Sequence, residues 1–200
     1  MDSTEQAHVI TDEAAVTHTR KWLEGVVLKY NLCPFAHGPL HGKRVRFAVA
    51  RGSQRRQILE ALRQELLLLR SPEGSGLDTS LLILPDAFPD FFEFNDFMDA
   101  VEALVGRLKL EGIFQVVSFH PDYLFAEADE HDFANHTNRS PYPMLHLLRE
   151  DQVSRAVELH PNVEEIPEQN TMRLRNLSDA EKTAVQSLSR CPFIGRTRES

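Results

Sequence analysis

The chain has 200 residues, of which 42% are hydrophobic and 26% are charged, and its formal net charge is -8. These values exclude wholesale disorder, a collagen-like repeat and a scaffold that depends on disulfides. The acidic balance gives no overall attraction to a phosphate backbone, so we expect no nucleic-acid partner. A basic segment over 43–63 is the one feature that would favour such a partner, and the acidic segment 86–102 would complement it within the fold.

The first half of the chain predicts alternating helices and strands. Residues 1–11 are polar and are expected to be disordered. Asp12 is predicted to cap a helix that runs to about Lys29, in which apolar residues recur at three-to-four spacing. Two prolines and two glycines predict a loop over 31–42, and strict alternation predicts a half-buried strand over 44–51. The next predicted elements are a helix from Ser53, a turn-rich connection over 71–78, a buried strand over 81–85, a helix over 89–110 and a strand over 113–120.

The second half is less regular. The stretch from Pro121 to Pro143 has no clear period, and it is too long and too polar for a simple connection. After it come a predicted strand over 144–148, a helix over 151–159, an irregular segment over 160–170, a helix opened by the capping box of Ser178 and Glu181 that runs to Leu188, and a flexible tail over 189–200.

A helix between each pair of strands favours parallel β–α–β crossovers. We therefore predict a single α/β domain over 12–188, with a mostly parallel sheet and helices between the strands. A ferredoxin-like α+β sandwich is the alternative. No apolar run approaches the roughly 18 residues of a membrane span, and the first residues have no secretory pattern. We expect a cytoplasmic protein without membrane contact.

The best candidate site follows the third strand, because ligands of open α/β sheets bind beyond the carboxyl ends of the strands. His120 lies at that strand end, and Asp122 would orient its imidazole or share a ligand with it. Arg139 offers a planar fork for a carboxylate or phosphate. His146 lies in an otherwise apolar strand, where its ring needs a polar partner.

Two histidines and one carboxylate are ligands typical of catalytic zinc and of non-haem iron. The metal alternative takes His120, Asp122 and His146, with Asp132 as a replacement carboxylate and His131 and His136 as spare imidazoles. The metal-free alternative is an anion pocket built from Arg139, Arg149 and a histidine.

Cys33 is the second candidate, because it lies in a loop with His37 and His41. A nearby imidazolium would lower the pKa of the thiol and make it a nucleophile or a redox group. The alternative is a buried, inert thiol beside Phe35. Cys191 is expected to be an exposed bystander in the tail. The two thiols would form a redox pair only if the tail folds back onto the loop.

Four segments, NLCPFA (31–36), SFHPDYLFA (118–126), NRSPYPMLHLLRE (138–150) and IPEQN (166–170), resemble a bacterial family catalogued as a domain of unknown function, DUF1415. The resemblance covers roughly residues 12 to 177 and implies a cytoplasmic single-domain protein, with no particular activity. It singles out Cys33, His120, Asp122, Asn138, Arg139, His146 and Arg149.

Two functions follow as alternatives. The first is an enzyme that acts on a small anionic or polar metabolite at the end of the third strand. Its catalytic residues would be Cys33, His120, Arg139 and His146, and its substrate-binding residues Asn138 and Arg149. The second is a non-catalytic module that binds a small ligand or a protein. The pattern specifies neither the reaction nor the oligomeric state.

Overall fold

The structure is a computed structural model that describes residues 10–126, 128–158 and 162–191. Its four strands form one sheet in the spatial order β1–β2–β4–β3. The strands are β1 Val45–Val49, β2 Thr79–Ile83, β3 Phe114–Phe119 and β4 Met144–Arg149. The helices are α1 Asp12–Trp22, which continues as a π-helix over Leu23–Leu28, then α2 His37–His41, α3 Arg55–Arg70, α4 Phe91–Arg107, α5 Glu150–Glu158, α6 Ile166–Arg175 and α7 Asp179–Leu188.

The sheet is mixed, so the prediction of a mostly parallel sheet is wrong. β1 and β2 pair in parallel, whereas β4 runs antiparallel to both β2 and β3. The reason is the connection between β3 and β4, the segment 120–143, whose described residues form a short 3₁₀ turn but no crossover helix. A strand that returns without a crossover lies antiparallel to its predecessor. The register aligns Leu81, His146 and Val117 across three neighbouring strands.

Helices cover both faces of the sheet, and this differs from the two-layer ferredoxin-like alternative. One face packs against α3 and α4, which we call the α3/α4 layer. The other packs against α1, the π-helix, α6 and α7, which we call the α1/α7 layer. Alternation along β4 divides its side chains between the layers: Leu145 and Leu147 face the first, and Met144 faces the second.

The predicted elements are confirmed in order, with three differences. The segment 160–170, expected to be irregular, contains the start of α6, the loop 31–42 contains the short helix α2, and the second part of the first predicted helix is a π-helix. Thr11, not Asp12, caps α1 by accepting a hydrogen bond from the N–H of Ala14. The predicted disorder of 1–11 and flexibility of 189–200 fall mainly on residues 1–9 and 192–200, which lie outside the described part. No helix in the described ranges is both long and apolar enough to cross a membrane.

One buried carboxylate ties the sheet to α3. Glu65 is 7% exposed and accepts two hydrogen bonds from Arg46 of β1, at 2.8 and 3.1 Å. It also accepts the hydroxyl of Ser80, which is fully buried in β2, at 2.8 Å. A carboxylate in this position accepts hydrogen bonds from side chains of two strands at once. Its loss would leave the hydroxyl of Ser80 without an acceptor.

We expect Glu65→Ala to lower the free energy of unfolding by about 2 kcal/mol, less than a fully buried pair would cost, because Arg46 remains partly solvated. Urea unfolding followed by circular dichroism measures the change. Glu60→Ala is the matched control on the same helix, since Glu60 pairs with Arg63 on the exposed side, and it should change stability little. Equal losses in the two variants would contradict the assignment.

Candidate functional site

A cavity of about 590 Å³ lies on the α1/α7 face of the sheet. Its volume falls within the range of small-molecule sites. The floor is formed by the cavity-facing side chains of three strands, Leu81, Val117, Phe119, His146 and Leu148. The walls come from the helix pair α1 and π-helix, through Trp22, Leu23 and Val27, and from the loop that follows, through Leu32, Cys33, Phe35, Ala36 and Leu40.

α5 covers the cavity at the end of the sheet where β4 finishes. Its Val153 and Ala156 line the cavity, but α5 buries none of its own residues. The helix therefore lies over the sheet without filling the space beneath it. Elsewhere on this face, side chains such as Tyr142 and Met144 are fully buried.

His146 is the central polar group of the cavity. Its ring lies 6.2 Å from that of Phe119, measured between centroids, and no described residue forms a hydrogen bond with it. Burial among apolar walls lowers the pKa of His146 to about 4, so the ring is neutral at pH 7. A neutral imidazole has one N–H donor and one acceptor, and here both nitrogens remain available to a molecule in the cavity.

Cys33 lines the same cavity as a neutral thiol. Its sulfur accepts hydrogen bonds from the backbone N–H groups of Phe35 and Ala36, but burial outweighs them and raises the pKa of the thiol. His37 and His41 stack on each other at a centroid distance of 6.1 Å, and they supply no activating charge to Cys33. The described residues therefore show none of the features of the activated nucleophile that the sequence suggested.

The loop that carries Cys33 is held by α6. Asn170, only 3% exposed, donates to the carbonyl of Leu32 at 2.7 Å. Arg173 donates to the carbonyls of Tyr30 and Asn31, both at 3.0 Å. The IPEQN segment thus belongs to the clamp that shapes one wall of the cavity.

His120 lies on the opposite side of the sheet, against the α3/α4 layer. Its Nδ1 accepts the N–H of Asp122 at 3.0 Å, and its Nε2 therefore donates to the carbonyl of Phe88 at 2.9 Å. The rings of Phe91 and Phe94 lie 5.6 Å from the imidazole, which is fully buried. Both nitrogens thus stabilise backbone, and Phe88 is held in the left-handed region with φ 54°.

The predicted metal ligands do not come together. His120 and His146 face opposite layers, because they lie on different faces of adjacent strands. Asp122 follows His120 along the chain and does not line the cavity. Within the described ranges, no group of three or more His, Cys, Asp or Glu side chains is arranged to hold a metal ion. The ring of the spare His136 packs on that of Phe133, with 4.4 Å between the two centroids.

The predicted anion-binding arginines stabilise loops. Arg139 donates to the carbonyls of Tyr123 and Glu130, both at 3.0 Å, and so closes the 120–143 segment on itself. Arg149 borders the cavity, but its guanidinium binds the carbonyls of Leu77 and Gly74, at 3.0 and 3.1 Å. It also binds the carbonyl of Leu69, near the carboxyl end of α3.

Among the described residues of the 120–143 segment, Thr137 and Asn138 line the cavity. The amide of Asn138 contacts the carbonyl of Ser118 at 3.5 Å and the phenol of Tyr123. Of the seven residues singled out by the sequence, the cavity thus brings together Cys33, Asn138, His146 and the edge of Arg149. The other three, His120, Asp122 and Arg139, organise the backbone after β3.

A family model described as a protein of unknown function, DUF1415, matches residues 14–194. The chain belongs to this family. No curated protein and no solved structure matches the chain. The DUF1415 match begins within α1 and extends past α7, so it includes both walls of the cavity and its cover α5.

The sequence missed the parts of the site that come from helices. The π-helix carries Leu23 and Val27, which belonged to the predicted apolar stripe of the first helix, but nothing in that stripe indicates a widened turn. In α5, the spacing of Val153 and Ala156 within a charged helix was an available signal for a cavity-facing side.

The two histidines predict opposite effects on stability. His120→Leu removes two hydrogen bonds and leaves a buried carbonyl unpaired, so we expect a loss of about 2–4 kcal/mol in the free energy of unfolding. His146→Leu removes a ring without a described hydrogen-bond partner, and it should leave stability unchanged or raise it slightly. Urea unfolding of both variants measures the contrast, and similar losses in both would refute it.

Stability should also depend on pH through His146. Its folded pKa of about 4 is below the ordinary value of 6.5, so protons favour the unfolded chain. The contribution is complete above about pH 6.5 and is lost as the pH falls toward 4. We expect His146→Leu to reduce the loss of stability between about pH 7 and pH 4 by about 1–3 kcal/mol.

The control for this pH series is His131→Leu, because the side chain of His131 is 86% exposed. Part of the decline should persist in the His146 variant, since burial and the charges of Arg139 and Arg190 lower the pKa of His136 to about 3. A pH profile of His146→Leu that coincides with that of the unaltered protein would contradict the assignment.

Proposed function

We propose that the chain binds a small, largely apolar molecule in the cavity under α5, with His146 as its hydrogen-bonding anchor. The observation that carries the proposal is the imidazole of His146, which is surrounded by apolar walls and forms no hydrogen bond with any described residue. A hydrogen bond in such surroundings contributes about 0.5–1.5 kcal/mol net, so a ligand with a complementary donor or acceptor is favoured.

The lining supports a mainly apolar ligand. Trp22, Leu81, Val117 and Phe119 contribute aromatic and aliphatic surface around the single imidazole. Sites for small molecules are typically built in this way, with apolar walls and a few placed polar groups that orient the ligand. This chemistry differs from the small polar metabolite that the sequence suggested, and the cavity lies on the sheet face, away from the end of β3.

Binding without turnover is the better supported of the two predicted functions. Catalysis by Cys33 would need a group that lowers the pKa of its thiol, and catalysis by His146 would need a partner that orients its ring. The described residues supply neither. We therefore favour the binding-module alternative for this cavity.

The charges of the basic segment also support a small ligand over a nucleic acid. Arg46, Arg51 and Arg63 each bind carboxylates of the same chain through at least two guanidinium nitrogens. Guanidinium groups occupied in this way contribute little to phosphate binding, because each new contact must replace an existing one.

The proposal can be tested with N-phenyl-1-naphthylamine, a neutral apolar probe whose emission rises in apolar surroundings and whose N–H can donate to His146. We expect saturable binding, and about tenfold tighter binding than that of the N-methyl analogue, which lacks the donor. His146→Leu should remove this preference. Val117→Trp should abolish binding of both probes by filling the cavity.

The matched control for the filling variant is Gln115→Trp, two residues earlier on the same strand, where Gln115 is exposed and does not line the cavity. It should bind both probes as the unaltered protein does. Binding that survives Val117→Trp, or a preference for the N–H probe that survives His146→Leu, would overturn the proposed function.

A further inference from the structure

The cavity is chemically divided along its length. Its interior is apolar around His146, but the end below α5 is lined by Arg44, Asp78, Gln152 and Arg155. We call this group the arginine mouth. Arg44 precedes β1 and Asp78 precedes β2, while Gln152 and Arg155 lie on α5. The side chains of Arg44 and Arg155 are 46% and 75% exposed, so this end of the cavity meets solvent.

The acceptor of the arginine mouth is already occupied by hydrogen bonds, whereas its donors are only partly used. Asp78 already accepts on both oxygens, from Arg44 Nε at 2.6 Å and from Gln152 Nε2 at 3.1 Å. Arg44 uses only its Nε in that contact. Arg155 meets its neighbour Asp151 at 3.6 Å, on an exposed helix surface where such pairs are weak. The mouth therefore presents N–H donors and positive charge, and its one lining carboxylate is occupied.

The positive charge of the arginine mouth is opposite in sign to the net charge of the chain, which is -8. The described residues that line the cavity include three arginines and a single aspartate. Arg149, the third arginine, directs its guanidinium to carbonyls at the end of α3, so it adds positive charge near the mouth without a described carboxylate partner. An acidic group entering here meets donors with a favourable potential, whereas a cationic group would meet repulsion.

We infer that the ligand is an amphiphilic organic acid, whose apolar body occupies the cavity and whose carboxylate lies at the arginine mouth between Arg44 and Arg155. This inference rests on the proposed function and names its ligand class. Charge-assisted hydrogen bonds from guanidinium groups are the strongest that the mouth can offer, and they are best matched by a planar carboxylate.

The test is displacement of N-phenyl-1-naphthylamine by decanoate, by 1-decanol and by decyltrimethylammonium at about pH 7. These compounds share one apolar chain and differ in the charge of the head group. We expect decanoate to displace the probe at about tenfold lower concentration than decanol, and the ammonium compound to be the weakest. Added salt should weaken decanoate and leave decanol unchanged, because salt screens exposed charges.

Two variants assign the head-group site. Arg155→Gln and Arg44→Gln should each reduce the preference for decanoate over decanol to about threefold or less. The preference is the ratio of the two displacement concentrations within one variant, so a change in probe affinity does not affect it. Arg63→Gln is the control, because Arg63 is 40% exposed, close to the 46% of Arg44, and is also paired, but lies on α3, away from the cavity. It should keep the full preference.

The two levels of the proposal fail in different ways. If the neutral probe does not bind, the proposed function itself is wrong. If the probe binds but decanol or the ammonium compound displaces it as well as decanoate does, the ligand is not an acid and only the inference is overturned. A decanoate preference that survives both arginine variants would also overturn the inference, since the acid would then bind elsewhere.

Discussion

β4 forms backbone hydrogen bonds on both sides, because it lies antiparallel between β2 and β3. This insertion fixes the face to which each of its side chains belongs. Leu145 and Leu147 complete the α3/α4 layer, and His146 faces the other layer beside Leu81 and Val117. A shift of one residue in this register would exchange the two sets and bury the imidazole in the larger core. The cavity and its central polar group therefore both depend on the pairing of one strand.

The two strand histidines show how the same residue type can serve the backbone or remain available. His120 is saturated by two backbone groups and holds the chain at Phe88 and Asp122. His146, on the neighbouring strand, has no such partner in the described part of the chain. The hydrogen bonds of His120 are explained by the stability that they give to the backbone. The arrangement of His146 leaves a half-buried polar ring in an apolar cavity without a hydrogen-bond partner in the described part of the chain, and this arrangement marks the site.

The periodicity of the sequence predicted most of the elements, because buried faces repeat at the spacing of helices and strands. It predicted neither the direction of β4 nor the layer of His120, since both depend on the segment 120–143, whose order comes from side-chain contacts such as Arg139 with Tyr123 and Glu130. Among the predicted site residues, His146 and Cys33 do line the cavity. It could not locate the cavity, because an incompletely covered sheet face leaves no periodic signal in any single element.

The helix α5 contributes apolar side chains to the cavity but buries none of them, and this has a consequence for access. Segments with few buried contacts undergo local unfolding at much lower free energy than the core does. The backbone amides of α5 should therefore exchange with deuterium sooner than those of β2, all of whose residues are buried. A molecule could then reach the interior through transient opening of this one helix, without disturbing the sheet, and its residence would slow exchange there selectively.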